Sequence, residues 1–319
     1  MSRMDPHRRD LLLTAGAALA AVSAPALAQP ASGLSFVALG DWGQRGSRTQ
    51  VEVARQMART AAQTDARFVM TVGDNFYDKG VASTSDRHWR DSFENVYSAP
   101  SLQVPWYPVL GNHDYKGEDA NPDAQVAYSA INPRWRMPAR HYVQPIILPD
   151  GRTLDMFAFD TTLHLTPREH ERPLRLAQMV WLDKALRTST AEWKLVFGHH
   201  AIFSNGSLHG SSRPLIAWLK PQLEAHGVQA YVCGHDHDLQ HIVSGPVNYI
   251  VTGGGSDFRR VRDRDDWVAG TRFAMGAPGF TAFQVKDDTL AVRWIDRAGA
   301  DVWKTEIARK PARAMAAAA

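Results

Sequence analysis

Short apolar runs, each ending in a polar loop, punctuate the chain between residues 36 and 237. Phe36-Val37-Ala38-Leu39 leads into Gly40-Asp41-Trp42-Gly43, and Phe68-Val69-Met70-Thr71-Val72 into Gly73-Asp74-Asn75-Phe76-Tyr77. Trp106-Tyr107-Pro108-Val109-Leu110 precedes Gly111-Asn112-His113-Asp114. Later, Leu195-Val196-Phe197 precedes Gly198-His199-His200, and Tyr231-Val232-Cys233 precedes Gly234-His235-Asp236-His237. Runs this short, apolar throughout and stopped by Gly, predict buried strands that deliver loops at their C-terminal ends. Between them, Val51, Ala54, Ala58 and Ala61 fall at helical spacing and predict a helix over 49–62. Residues 174–186 and 214–226 follow the same rule, with Gly227 placed to cap the latter. Residues 247–252, 279–285 and 290–295 are strand-like. Strand and helix signals in alternation predict a layered α/β fold with mainly parallel central strands.

Open α/β sheets bind ligands at the C-terminal edge of their strands. Five loops bearing Asp, Asn, His and Tyr at that edge point to one shared metal site. Asp41 and Asp74 offer hard anionic oxygen, Asn112 neutral oxygen, Tyr77 a phenolate, and His199, His235 and His237 imidazole nitrogen. That mixture suits a high-charge ion such as Fe3+ beside a softer divalent one such as Fe2+, Zn2+ or Mn2+. One shared carboxylate would hold the two ions at the separation that two-metal hydrolases use. Residues 116–150, richer in Pro, Asn and Arg, are expected to be irregular and to form a lid or rim over the site.

Composition narrows the field. With 44% hydrophobic and 22% charged residues in 319, the chain is ordinarily globular and long enough for a large core. A net charge of +3 is mild, and no Lys/Arg stripe of the kind that binds nucleic acid is present. Arg259, Arg260, Arg262 and Arg264 do cluster, but Asp263, Asp265 and Asp266 dilute them into a solvated loop, or at most a rim that attracts anionic substrate. The single cysteine, Cys233, excludes an intramolecular disulfide and reads as a small buried hydrophobe.

Residues 1–28 read as an export signal. Arg8-Arg9 precede an apolar stretch that ends in Ala26-Leu27-Ala28, a signal-peptidase pattern. The paired arginines resemble a twin-arginine signal, with general secretion as the alternative. The mature chain is then expected to be periplasmic or secreted, with the export machinery as a partner and without stable membrane insertion. Residues 29–310 are expected to form one domain, and 311–319, ending in Ala316-Ala317-Ala318-Ala319, a disordered tail.

The five loops taken together resemble the calcineurin-like metallophosphoesterases, and within them the purple acid phosphatases of the small tartrate-resistant type. Gly43 stands where the wider superfamily places a ligand histidine, and Tyr77 follows Asp74 by three residues, as the purple phosphatase tyrosinate does. The likeness runs from Phe36 to about Ile307. It implies a four-layer α/β/β/α sandwich and a monomeric acid phosphatase that hydrolyses phosphate monoesters with a metal-bound hydroxide. It also implies roles: Asp41, Tyr77 and His237 as ferric ligands, Asp74 as the bridge, and Asn112, His199 and His235 as divalent-metal ligands. His113 and His209 resemble the two substrate-facing histidines, His209 through a one-residue difference in length. His200 stands where the family usually has tyrosine, as a supporting residue or a competitor of His199. The implied substrate is a phosphorylated small molecule or phosphoprotein.

Singly, each of these residues has an ordinary explanation as a cap, a turn former or a packed ring. Asp78 reads as a solvated turn carboxylate, and His88, His164, His170, His226 and His241 lie outside the motifs. Trp42, Trp89, Trp106 and Trp135 are expected in the core rather than the cleft. Alternatives that keep the centre are a phosphodiesterase or a nucleotidase. A metal- or phosphate-binding protein without catalysis is a third, disfavoured by His113 and His209, which metal binding alone does not need.

Overall fold

The computed structural model describes residues 33–117 and 121–309. The export signal and the tail expected at 311–319 lie outside these described residues. The first half runs β1 (Leu34–Leu39), α1 (Arg48–Thr64), β2 (Val69–Val72), β3 (Trp106–Val109), α2 (Pro122–Ala127), β4 (Tyr142–Ile147) and β5 (Thr153–Ala158). There follow α3 (Thr161–Leu165), α4 (Arg172–Thr188), β6 (Trp193–Phe197), α5 (Arg213–Ala225) and β7 (Ala230–Cys233). The chain closes through β8 (Leu239–Ser244), β9 (Val247–Thr252), β10 (Thr271–Met275), β11 (Gly279–Lys286), β12 (Thr289–Asp296) and β13 (Asp301–Ala308).

These strands form two sheets, one ordered β13-β12-β11-β1-β2-β3 and the other β10-β8-β9-β7-β6-β5-β4. The expectation of mainly parallel strands holds for only part of each. β1, β2 and β3 are parallel, as are β5, β6, β7 and β9, but β11 to β13 form an antiparallel meander, and β4, β8 and β10 also pair antiparallel. The parallel segments are the buried apolar runs. The antiparallel strands are more polar; β13, at an edge, buries only Ile307, which left its pattern weak in the sequence.

Period-two alternation sorts the second sheet's residues between two cores. Phe157, Val196, Tyr231, Tyr249 and Val251 face Leu182 and Leu186 of α4 and Leu215, Leu219 and Leu223 of α5. Their neighbours Met156, Ala158, Leu195, Phe197, Val232 and Ile250 join Phe36, Leu39, Val72 and Phe283 of the first sheet. Helix α1 packs on β1 and β11, completing a four-layer α/β/β/α sandwich. Gly227 takes φ +71° after α5, as expected of a cap, and Ser47, which the sequence reading did not single out, caps the start of α1 by accepting from the Gln50 amide.

Residues 116–150 depart from the irregular lid that was expected. They contain α2 and the edge strand β4, and α2 is tucked under the loops of β2 and β3, where Gln125 is fully buried. The four tryptophans belong to the core as expected. Trp42 sits among Phe76, Phe93, Tyr97, Trp106 and Trp135, with ring centroids 5.4–6.4 Å apart.

Candidate metal centre

The parallel strands β1, β2, β3, β6 and β7 end together, and their loops bring all seven sequence-predicted donors into one cluster. The Tyr77 hydroxyl lies 2.8 Å from Asp41 Oδ1, 2.8 Å from Asp74 Oδ2 and 3.0 Å from His237 Nε2. A second group surrounds His199 Nε2, which is 3.1 Å from Asn112 Oδ1, 3.1 Å from His235 Nδ1 and 3.4 Å from Asp74 Oδ2. Asp74 Oδ2 is the atom common to both groups. Asp41, Asp74 and His199 are each buried, with donor atoms close enough to hold one metal ion.

Backbone contacts fix these side chains. The His113 amide donates to Asp74 Oδ1 at 2.8 Å, and the His235 amide to Asp41 Oδ2 at 3.0 Å. His199 Nδ1 is 3.0 Å from the Val72 carbonyl. When Nδ1 donates there, the bare Nε2 of the neutral ring is left facing oxygen and nitrogen acceptors. The backbone is held in an unusual conformation as well. Asp41, Asp74 and His235 all have positive φ, at 59°, 48° and 68°. Such conformations cost roughly 1–3 kcal/mol each in non-glycine residues and collect at functional sites.

The electrostatics describe a site built for cations. Burial alone would raise the carboxyl of Asp74, but His199 and His113 hold it well below the usual range. Burial would lower His199, yet Asp74 outweighs it and pushes the imidazole up to about 9. Burial, with Asp41 and Asp74 adding to it, drives the Tyr77 phenol well above its ordinary value of 10.0. His235 is driven far down by burial and by His200 and His199. Two carboxylates, a phenol between them and facing imidazole nitrogens satisfy one another only through a positive charge, which a bound cation provides while inverting the phenol's preference. Hard oxygen on one side and nitrogen on the other fit a ferric ion beside a divalent one.

His113 and His209 stand at the edge of the cluster. The His113 ring is 4.4 Å from that of Tyr77, with Nδ1 2.8 Å from the Asp78 carbonyl. Asp78 itself is exposed, as expected of a turn carboxylate. The exposed His209 ring is 4.0 Å from His235. His200 stays out of the donor set. Its Nδ1 meets the Thr161 hydroxyl at 2.8 Å and its ring leans on His235 at 4.3 Å. Gly43 cannot be the superfamily's histidine without moving the loop, because a Cβ there would collide with the Asn75 carbonyl.

Sequence reasoning missed two supporting loops. Thr161, after β5, accepts from the amides of both His199 and His200 at 3.2 and 2.9 Å. Its signal was present: Met156 to Phe159 is a sixth apolar run closed by a polar loop, but Asp160 stands where the others have Gly. After β9, Ser256 donates to the Asp41 carbonyl at 2.6 Å and the Gly255 amide to Gly40 at 3.0 Å.

Comparison with known proteins agrees with this geometry. Residues 34–239 match the model of the calcineurin-like phosphoesterase family. Purple acid phosphatase 4 of Arabidopsis thaliana is 34% identical over 298 residues, covering 88% of this chain and 85% of the relative. Tartrate-resistant acid phosphatase type 5 of Homo sapiens is 34% identical over 317 residues, covering 92% and 96%. Among solved structures, GAP50, the anchor in the inner membrane complex of Plasmodium, superposes with a TM-score of 0.79 at 23% identity, covering 88% of this chain and 90% of that one. The purple acid phosphatase PPD1 of yellow lupin gives 0.65 at 15%, covering 87% and 54%; these two likenesses concern the fold. The chain therefore belongs to the calcineurin-like phosphoesterase family and, within it, to the purple acid phosphatases.

Proposed function

We propose that this protein is an exported acid phosphatase acting on phosphate monoesters, with its chemistry at the cluster around Asp74. Family membership carries the hydrolase activity and the pairing of ferric iron with a divalent ion. The observation that supports the arrangement is the position of Asp74 Oδ2, 2.8 Å from Tyr77 and 3.4 Å from His199. On this reading Asp41, Tyr77 and His237 hold the ferric ion, Asn112, His199 and His235 the divalent ion, and Asp74 both. Bound there, the two ions supply Lewis acidity that lowers the pKa of water and polarises the phosphate oxygens.

The remaining steps belong to the chain. Asp41 and Asp74 are oriented through their outer oxygens by the His235 and His113 amides. His113 has Nδ1 engaged by the Asp78 carbonyl, which leaves Nε2 as the ring atom open to phosphate or the leaving oxygen. His209, exposed beside His235, faces the same mouth. Water ionised below neutrality favours mildly acidic conditions. Export is supported by the sequence of residues 1–28, and the substrate is a phosphorylated small molecule or a phosphoprotein.

Replacement of Asp74 tests this reading. Asp74→Ala should lose both metals and all turnover of phenyl phosphate while far-UV circular dichroism stays native. A purified variant with near-normal iron content and activity would sink the two-metal arrangement. Rates on a phosphodiester beside the monoester separate the phosphomonoesterase from the diesterase alternative.

A further inference from the structure

His88 lies outside every ligand-bearing loop, and the phosphatase reading leaves it unused, yet it is only 2% exposed. It stands at the start of the helical turn Trp89–Glu94, where His88, Trp89, Ser92 and Phe93 are the buried positions. The four-residue spacing on that face brings Ser92 Oγ to 2.7 Å from His88 Nδ1. Asp86 closes the turn before it, accepting from the Ala82 amide at 3.0 Å and the His88 amide at 2.9 Å. The ring packs edge-on against Phe76 at 5.0 Å. Its other nitrogen, Nε2, is 2.7 Å from the backbone carbonyl of Tyr77.

These partners settle where the ring's proton sits. A carbonyl only accepts, so Nε2 carries the proton. Ser92 Oγ accepts from the Arg45 amide at 2.9 Å, which leaves its own hydroxyl proton for Nδ1. Both nitrogens are thereby satisfied in a neutral ring of one fixed tautomer. A chain of bonds thus runs from Arg45, in the loop that carries Asp41, through Ser92 and His88 to Tyr77.

The contact matters because of what the residues beyond it hold. The Tyr77 amide donates to the Gly43 carbonyl at 2.9 Å. With its carbonyl held by His88, Tyr77 is anchored at both of its backbone polar groups while its phenol reaches Asp41 and Asp74 at 2.8 Å each. The next carbonyl, that of Asp78, is 2.8 Å from His113 Nδ1. Two successive carbonyls are therefore held by two histidines, one buried and one at the edge of the cluster. Release of the first would loosen the phenol and His113 together.

We propose that His88 is a positioning residue for the metal centre: its Nε2–H holds the Tyr77 carbonyl, and so aims the phenol oxygen at the ferric position and the Asp78 carbonyl at His113. This rests on the reading of Tyr77 as a ferric ligand. His88 acts as an outer partner of a metal ligand does, touching neither metal nor substrate.

The test uses the full-length protein, loaded with iron and oxidised. His88→Phe keeps a packed ring and loses both bonds, whereas His88→Gln can still donate to the carbonyl. His88→Phe should retain iron, shift or weaken the tyrosinate-to-iron band, and lose roughly 10- to 100-fold in kcat for phenyl phosphate with KM little changed. His88→Gln should recover most of both. His241→Phe alters a histidine equally buried but bonded to Asn248 and Trp303; it should cost stability and leave band and kcat unaltered. A folded His88→Phe with lower thermal stability but unchanged band and kcat overturns the role, as does a Gln variant no better than Phe. Two measurements need no metal. Nitrogen NMR of the metal-free wild type should show His88 protonated at Nε2 alone; the opposite tautomer overturns the proposal, even where His88→Phe does not fold. A metal-free crystal structure of His88→Phe should show the Tyr77 oxygen displaced from Asp41 and Asp74, and an unmoved oxygen counts against the role. A wild-type protein with no visible band defeats the ferric reading of Tyr77, while the tautomer and the Tyr77 oxygen still decide the positioning.

Discussion

At the scale of single residues, Tyr77 is where the physical argument is sharpest. Between two buried carboxylates its phenol resists ionisation strongly, so only a highly charged cation can make it a phenolate. Oxidised, iron-loaded protein should therefore show a tyrosinate-to-iron absorption band and look purple to pink. Tyr77→Phe keeps the ring's packing and removes the oxygen; the fold should survive and the colour should vanish. Iron-loaded wild-type protein that stays colourless after oxidation would return Tyr77 to the core. His113 separates coordination from catalysis. Its backbone amide serves Asp74, and a substitution leaves that amide in place, so His113→Ala should keep its metals and lose roughly 10²–10⁴-fold in turnover. Collapse of the metal content instead would make it a ligand. The tyrosine and histidine identities were legible in the sequence because each sits at a fixed offset in a strand-end loop. The positive φ of Asp41, Asp74 and His235 was not, because Asp and His carry no mark of it as Gly does.

At the scale of elements, the centre is held by a buried polar network that joins loops from three strands. Asn75 accepts from Trp42 Nε1 at 3.2 Å and from Thr71 at 2.7 Å, and its Nδ2 donates to the Val109 carbonyl at 2.9 Å and to Gln125 at 3.0 Å. Asp114 accepts from the amides of Gly111 and Asn75 and from Gln125 Nε2 at 2.8 Å. Helix α2 thus braces the turns that present Asp74 and Asn112. Gln125→Leu removes a donor from one buried carboxylate and an acceptor from Asn75, which should destabilise the fold by about 1–3 kcal/mol. Metal affinity should fall roughly 10- to 100-fold, as when outer partners of a metal site are lost. Thermal unfolding and metal titration of the variant check both; unchanged affinity would make the network a matter of stability alone. Nothing in the spacing of Gln125 announced this role, because a polar residue buried by tertiary contact looks like surface in a sequence. The five ligand-bearing strands were readable because burial on both faces makes them apolar throughout. The strand before Thr161 escaped notice because its loop opens with Asp160, a helix N-cap, rather than with Gly.

At the scale of the whole molecule, an enzyme suited to acid must also stay folded there, and two buried groups away from the cluster pull in opposite directions. His164 stacks on Trp218 with no partner for Nδ1, and burial, helped by Arg175, lowers it to about 4. A histidine depressed in the folded state supports folding above its unfolded value of 6.5, and that support is lost as pH falls toward 4. Asp160 is raised to about 6 by burial, against the pull of Tyr115, the Leu163 amide and Arg140. A carboxyl raised in the folded state favours folding most below its unfolded value of 3.8, and the benefit is lost as pH rises through 6. At about 1.4 kcal/mol per unit, each group contributes on the order of 3 kcal/mol, with opposite sign over nearly the same window. The two largely offset one another between pH 4 and 6.5. Removing one should expose the other. Relative to wild type, His164→Gln should gain stability as pH falls from 7 to 4.5, and Asp160→Asn should lose it, read from denaturant unfolding at each pH. Parallel pH curves for wild type and both variants would show that neither group is linked to folding. Curves that diverge as stated would place part of the protein's acid tolerance in α3 and its N-cap, outside the metal cluster.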